Sequence, residues 1–421
     1  MIGQIFSKKR WRWLRPGIGI KRWGFIGLLG IVAVIYALTH MVTTANQGEV
    51  RGLIIVIACA FTLTVVSLAV IIHKLWYARV RSSLGSASGG DMLYRHAKLD
   101  NGPKVVAIGG GTGLSAMLRS VKTITSNITA VVTVADNGGN SGQLRKEFGI
   151  LPPGDIRNCL IALSQVEPSM ERLMQYRFKE SILEGYCIGN LLLVAQSKVN
   201  EGFLRGIKEI SDVLAVTGRV LPVTLSNVHL NARMNDSRVI EGEQLIGQAQ
   251  RDHGGFIERV WLTPGGAKAL PEVVEAIEEA DIILMGPGSL YTSLLPNLLV
   301  EGVCDAIRQS DAMKIYIANL MTQPGETEGY NAEMHVKAIE DHTGQRMFDY
   351  ILLNSNLELP AATRQRYMAE HAIPVNYDRA KLKAMGYKVV DTKLMQERKG
   401  HIRHSMDRLA AAVTRLYMLK R

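Results

Sequence analysis

Two long apolar runs near the amino terminus constrain the fold most, because neither suits the inside of a small globular core. Residues 23–42 hold no acid and no strong base, His40 being their one weak base, and residues 53–72 hold no ionisable group but Cys59. Each run has about 20 residues, the length an α-helix needs to cross roughly 30 Å of hydrocarbon. A charge left near the bilayer centre costs a few kcal/mol, so the absence of charge is part of the signal. Lys8, Lys9, Arg10, Arg12, Arg15, Lys21 and Arg22 precede the first run, and Lys74, Arg79 and Arg81 follow the second. The short loop between them, residues 43–52, carries Glu49 and Arg51. The positive-inside rule then puts both ends in the cytoplasm. Trp11, Trp13, Trp23 and Trp76 lie at or near the ends of the runs, where aromatic belts form. A cleaved signal peptide is not followed by a second full-length span, and a buried hairpin needs no basic flanks. Nothing inside the runs suggests a transport path. Residues 1–81 are therefore expected to be a two-pass anchor in the lipid bilayer, with spans at about 23–42 and 53–72 and the main domain in the cytoplasm.

The formal net charge of +11 invites a nucleic-acid reading, but its location argues against one. Residues 1–81 hold eleven Lys and Arg beside one acid, Glu49, which leaves 38 basic and 37 acidic groups for the remaining 340 residues. A nucleic-acid binder keeps its basic excess on the binding domain; here it flanks the apolar runs. The four cysteines, Cys59, Cys159, Cys187 and Cys304, form no CxxC pair, which speaks against a zinc site or a disulfide framework. Residues 82–103 open on SSLGSASGG, a composition typical of flexible linkers. The main domain is expected at residues 104–421.

Its opening reads as strand, glycine loop, helix and strand. Residues 104–108 are apolar and β-branched, glycines break the run at 109–113, helical spacing covers 112–121, and a second apolar run spans 128–134. A strand apolar on both faces needs cover on both sides, which is the signature of a parallel α/β sheet. Helical character is expected from about 155 to 214, with separate helices at 189–199 and 201–214, then strands at 220–224, 228–233 and 257–263 in a less regular insertion. The α/β rhythm returns with a helix at 271–280, a strand at 281–285, a loop at 286–293 and a helix at 295–307. Strands at 314–318 and 350–353 and helices at 333–341 and 405–419 complete the reading. The expected architecture is Rossmann-like: a doubly wound, largely parallel sheet, whose ligands bind beyond the carboxyl ends of the strands.

The best motifs sit at those ends. Gly109, Gly110, Gly111, Thr112, Gly113 and Leu114 follow the first strand. Glycines let main-chain N–H groups approach an anion, and the following helix adds its positive end; the bland reading is a tight turn. The string lacks the Gly-Lys-Ser/Thr ending of a Walker loop and misses GxGxxG by one position, so neither that loop nor NAD is expected. Asp136, in DNGGNSG at 136–142, follows the second strand, where a carboxylate can hold Mg²⁺ or a sugar hydroxyl, or simply form an Asx turn. Asp155, in PPGDIRN at 152–158, either caps a helix or faces a ligand, while Arg157 in the first turn runs against the helix dipole and calls for an anionic partner. GPGSLYTS at 286–293 suits a second anion or ribose contact. The amides of NLMTQPGET at 319–327 could read a base edge. No Ser-His-Asp set, HExxH or EF-hand loop is present.

Taken in order, GGGTGL, FGILPPGDIRN, GNLLL, GRVLPVT, GPGSLYTS and NLMTQPGET resemble the bacterial gluconeogenesis factors of the YvcK type, relatives of 2-phospho-L-lactate transferase (CofD). The likeness runs from about Lys104 to the carboxyl terminus. It implies a bacterial membrane-tethered protein that binds a UDP-sugar, UDP-N-acetylglucosamine foremost, and regulates cell shape and wall synthesis during gluconeogenic growth. The alternative it carries is a Mg²⁺-dependent phosphotransferase like the transferase relatives. By motif, residues 109–114 would cradle phosphate and Asp136 would take the metal or ligand position. Asn137, Asp155, Arg157, Asn158, Asn190, Gly288 and Ser289 would line the pocket. The chain departs from the usual DDGGSSG at Asn137 and Asn140, and Tyr186 stands where His is common. Losing one carboxylate weakens a two-acid Mg²⁺ site. Homo-oligomerisation is left open.

Overall fold

The computed structural model describes residues 20–43, 47–82, 99–165, 167–398 and 400–420. The linker at 83–98, the basic cluster at 8–15 and Trp11 and Trp13 lie outside the described residues. The chain divides into two compact units, residues 1–101 and 102–421.

The first unit is a helical hairpin, α1 (Ile20–Thr43) and α2 (Gln47–Ser82), both longer than the expected spans. Its two apolar stretches, Arg22–Met41 and Val50–His73, are long enough to cross a membrane. Large side chains point outward: Phe25, Ile55 and Phe61 are 62%, 64% and 62% exposed. The contact face is small instead. Ala37, Ala60 and Ser67 are buried, and Gly30 lies against Thr64 and the Ala60 carbonyl. Thr64 returns its hydroxyl to the Ala60 carbonyl at 2.8 Å, so its polar atom is satisfied within the helix.

The second unit is built on seven parallel strands. They are β1 (Val105–Gly109), β2 (Ile128–Val132), β3 (Arg219–Pro222), β7 (Ile282–Met285), β8 (Met313–Ile317), β9 (Tyr350–Asn354) and β10 (Lys388–Thr392). The order across the sheet is β10-β9-β8-β7-β1-β2-β3, and each neighbouring pair is parallel. Every residue of β1, β2 and β7 is buried, as the apolar runs require. The chain winds from β1 outward to β3, then returns to β7 beside β1 and winds the other way. The β1–β7 seam is therefore the topological switch point, where open α/β sheets place their ligands.

The insertion between β3 and β7 holds a three-stranded antiparallel sheet of β4 (His229–Met234), β5 (Val239–Glu241) and β6 (Ile257–Thr263). Two expectations need correction. Residues 219–222 belong to the main sheet, paired with Thr129–Val132, so the insertion starts only after Pro222. The helix expected over 295–307 is broken into Leu295–Leu298 and Val303–Gln309, with Gly302 at φ 94° between them. The helical stretch from 155 to 214 holds α5 (Pro153–Leu163), α6 (Glu167–Met174), α7 (Ile188–Val199) and α8 (Phe203–Val213), the last two where helices were expected at 189–199 and 201–214. The glycine string after β2 opens a further helix, α4 (Gly139–Phe148).

Candidate functional site

Two glycine loops meet at the switch point. The first leaves β1 and enters α3 (Gly111–Val121) with Gly111 at φ 61°, a left-handed conformation that glycine adopts freely. The second, Gly286 to Ser289, leaves β7. They touch at Gly113, where a Cβ would collide with the Pro287 carbonyl; this glycine serves loop-to-loop packing. Between them opens a cavity of about 350 Å³ lined by Gly110, Gly111, Thr112, Gly113, Gly288 and Ser289, with Asn319 and Gln323 beyond β8. Two members of the predicted cradle fall outside it. Gly109 ends β1, its carbonyl taken by the N–H of Thr133 and the Asn297 amide. Leu114 is fully buried in the core.

The expected reading of a base by Gln323 is also corrected. Ser289 Oγ donates to its Oε1 at 2.6 Å, and its Nε2 donates to Glu326 Oε1 at 2.7 Å, so both ends of the amide are engaged. Asn319 lines the cavity without that commitment. Sequence reasoning missed the opposite wall, where Tyr367, Glu370, Arg403 and His404 complete the lining. They come from a late helix, Ala361–Ala369, and from the hairpin of β11 (Met395–Arg398) and β12 (His401–His404), outside every quoted string. Burial pushes the His404 imidazole down to about 4, so it is neutral at pH 7.

The remaining predicted residues gather beside the cavity, towards β2. Asp155 joins the two groups. It does not cap α5, whose N-cap is Pro152 without a side-chain bond. Its Oδ2 instead accepts the Gly111 N–H at 2.7 Å, tying α5 to the first glycine loop. Asp136 forms the Asx-type turn, Oδ1 accepting from Gly138 N–H at 2.8 Å. Arg157 is 7% exposed; it donates to Asn190 Oδ1 at 2.7 Å and to Asn158 Oδ1 at 2.9 Å, while its Nε is buried without a partner. Asn190 also donates to Asn140 Oδ1 at 3.3 Å. Tyr186 turns its hydroxyl to Glu147. Asn137 faces the insertion, accepting the Gln244 N–H at 3.0 Å.

The electrostatics are dominated by crowded carboxyl groups. Burial raises Asp136 and lifts Asp155 to about 6, with Asp136 adding to the rise. Two acids missed by sequence reasoning join them. Glu326 is 4% exposed and lifted by burial to about 7. Glu243, opening α9 (Glu243–His253), is lifted to about 8 by burial and then by Asp136, Glu326 and Asp155. Arg145, also missed, binds the main chain around them: it donates to the Asp136 carbonyl at 3.2 Å, to Asn227 Oδ1 at 2.7 Å and to the Val228 carbonyl. Glu326 lies inside a quoted string; Glu243 and Arg145 follow no local pattern. Among the described residues no group of three or more His, Cys, Asp or Glu is set to hold a metal. A pair of carboxylates is the most this site offers Mg²⁺, which suits an ion that keeps waters and substrate phosphates in its shell.

A doubly wound sheet with glycine loops at its switch point defines the class, a Rossmann-like α/β protein whose candidate ligand edge lies at the carboxyl ends of its strands. The family model described as 2-phospho-L-lactate transferase CofD matches residues 105–395. A putative gluconeogenesis factor of Clostridium acetobutylicum is 42% identical over 416 residues, covering 97% of this chain and 92% of that protein. The gluconeogenesis factor of Bacillus subtilis is 47% identical over 315 residues, covering 75% of this chain and 98% of its own. A crystal structure of a Bacillus halodurans protein superposes with TM-score 0.72 at 47% identity, covering 75% of this chain and 100% of that one. The chain belongs to the CofD family, among its gluconeogenesis factors of the YvcK type.

Proposed function

We propose that this protein is a bacterial membrane-anchored regulator that binds a nucleotide sugar, UDP-N-acetylglucosamine foremost, and couples its level to cell-wall synthesis and cell shape during gluconeogenic growth. The observation that carries the reading is the pair of glycine loops facing a cavity of about 350 Å³ at the switch point, within the usual range of roughly 300–1,000 Å³ for ligand sites. The N–H groups of Thr112 and Gly113 and the positive end of α3 suit the diphosphate, the Gly111 N–H being held by Asp155. Asn319 suits a base or ribose edge, and the Arg403 cation opposite suits the second phosphate. The hairpin holds the domain at the cytoplasmic face, where wall precursors are made.

The match to a transferase family favours a second reading, a Mg²⁺-dependent phosphotransferase. Asp136, with a second carboxylate, would hold the ion, which would neutralise phosphate charge. Calorimetry separates the two. A fragment starting near Asp91 is titrated with UDP-N-acetylglucosamine, NAD and GTP, with and without Mg²⁺. Saturable UDP-sugar binding, lost in Gly111→Val, supports the regulator. Silence towards UDP-sugars, with Mg²⁺-dependent binding of another nucleotide-linked donor, overturns it in favour of the transferase.

A further inference from the structure

We propose that Ser289 reads a hydroxyl group of the ligand rather than a phosphate, and that Gln323 and Glu326 are the positioning residues that fix it in that role. The inference deepens the nucleotide-sugar reading of the switch-point cavity and rests on it. It follows from the direction of three linked hydrogen bonds. Ser289 and Gln323 both line the cavity, whereas Glu326 is buried outside the lining. An ionised carboxylate can only accept, and Glu326 Oε1 takes the hydroxyl of Thr292 at 3.0 Å and Gln323 Nε2 at 2.7 Å. The Gln323 amide therefore turns its NH₂ end to Glu326 and its carbonyl end, Oε1, to Ser289 Oγ at 2.6 Å. A carbonyl oxygen also only accepts, so the Ser289 hydroxyl donates its single proton there. What Ser289 presents to a ligand is a pair of lone pairs and no proton.

The main chain holds this arrangement on both sides. The Ser289 carbonyl accepts the N–H groups of Ser293 and Leu294, each at 3.0 Å. The Gln323 N–H donates to Thr327 Oγ1 at 3.0 Å, and its carbonyl accepts the N–H groups of Glu326 and Thr327. A phosphate oxygen brings lone pairs and negative charge, so it meets repulsion at Ser289 Oγ. A sugar or ribose hydroxyl brings the proton that Ser289 lacks. The first glycine loop is the complement, since the N–H groups of Thr112 and Gly113 can only donate. The cavity is thus divided by hydrogen-bond polarity, with donors on the β1 side for the diphosphate and an acceptor on the β7 side for a hydroxyl. Of the two contacts that GPGSLYTS suits by sequence, a second anion or a ribose, this polarity assigns Ser289 to a hydroxyl. A site that offers an acceptor to a hydroxyl discriminates against analogues lacking one, because its own polar atom is then left without a partner.

The test is calorimetry on the full chain in detergent with three probes that differ in their hydroxyl groups: UDP-N-acetylglucosamine, UDP, and 2′,3′-dideoxyuridine 5′-diphosphate, which keeps the base and diphosphate and has no hydroxyl. It is run at pH 8, above the value of about 7 to which burial lifts Glu326. Ser289→Ala is expected to weaken UDP-N-acetylglucosamine by about tenfold and to leave the dideoxy probe unchanged. A loss shared by UDP places the ribose at Ser289, and a loss absent from UDP places the sugar there. Gln323→Met, which keeps the length of the side chain and removes its amide, frees the Ser289 proton to turn into the cavity. It is expected to weaken UDP-N-acetylglucosamine severalfold while the dideoxy probe binds as tightly as before or more tightly, a contrast that a purely structural loss does not produce. Melting temperatures measured alongside identify a variant that fails to fold, and Ser289→Ala, which removes one oxygen from a half-buried side chain, then decides. Equal weakening of all three probes in Ser289→Ala would mean that Ser289 donates to the diphosphate, and overturns the proposal. A wild type that binds UDP but not UDP-N-acetylglucosamine sinks the nucleotide-sugar reading alone, and UDP against its dideoxy form still decides the role of Ser289; a wild type that binds none of the three sinks both.

Discussion

The hairpin and the α/β domain are both rich in apolar residues but dispose of them in opposite directions. In the hairpin, Phe25, Ile35 and Ile55 lie more than half exposed while small residues fill the helix contact. In the domain, β1, β2 and β7 are apolar and buried along their whole length. The same composition therefore carries two instructions, and charge placement tells them apart. The hairpin's two apolar helices are long enough to cross a membrane, and in water an exposed apolar area of this extent drives association. The relatives differ in how much of the chain they match: the Clostridium acetobutylicum alignment takes in nearly the whole chain, whereas the Bacillus subtilis protein spans three quarters of it.

Equivalent charges placed in the two regions give the largest contrast. Ile108→Asp buries a carboxylate in the central strand, where exposure is 0%; a cost above about 4 kcal/mol is expected, enough to abolish folding. Ile55→Asp, on the exposed face of α2, is expected to leave the domain's thermal unfolding unchanged and to shift the protein from the membrane to the soluble fraction. Fractionation and a melting curve of each variant read both outcomes; an unfolded domain in Ile55→Asp breaks the comparison. Removing residues 1–98 sharpens it. The truncated chain should be soluble and melt within a few degrees of the intact domain. Next in size is Gly113→Ala, whose Cβ meets the Pro287 carbonyl. Forcing the two loops apart should cost about 1–3 kcal/mol and weaken UDP-sugar binding more than it lowers the melting temperature, as calorimetry beside thermal unfolding would reveal.

The sheet was legible wherever a strand is buried on both faces, because an uninterrupted β-branched run admits few other readings. β6 was read at its true limits, and β1, β2, β7, β8 and β9 to within a residue or two. The late strand β10 and the hairpin β11–β12 were not, since Lys388, Asp391, Gln396 and Arg398 break their apolar pattern. At the site, a glycine string announces a loop but not the job of each glycine. Gly113 and Leu114 look alike in a motif, yet one is a point of backbone contact and the other a core side chain. Asn137 could be read as a lost acid but not as the tether of α9, because its partner lies 107 positions away. Glu243 was invisible for the same reason: its environment is assembled by the insertion.

That environment predicts the most specific effect. The Glu243 carboxyl is lifted from its ordinary 4.5 to about 8, first by burial and then by neighbouring carboxylates. Between those values the folded domain holds a proton that the unfolded chain has lost, so unfolding releases it and stability falls as pH rises. The contribution is complete below about pH 4.5 and gone above about pH 8. Asp155 and Glu326, lifted to about 6 and 7, push the same way over narrower windows. In EDTA, the melting temperature of the domain should therefore drop between pH 5 and pH 8, apart from any change due to histidines. Glu243→Gln keeps the shape and removes the charge, so its melting curve should match the wild type near pH 5 and lie above it at pH 8. A gap of equal size at both pH values would mean that Glu243 is solvated like a surface acid, and that the insertion does not bring it to the domain's switch point.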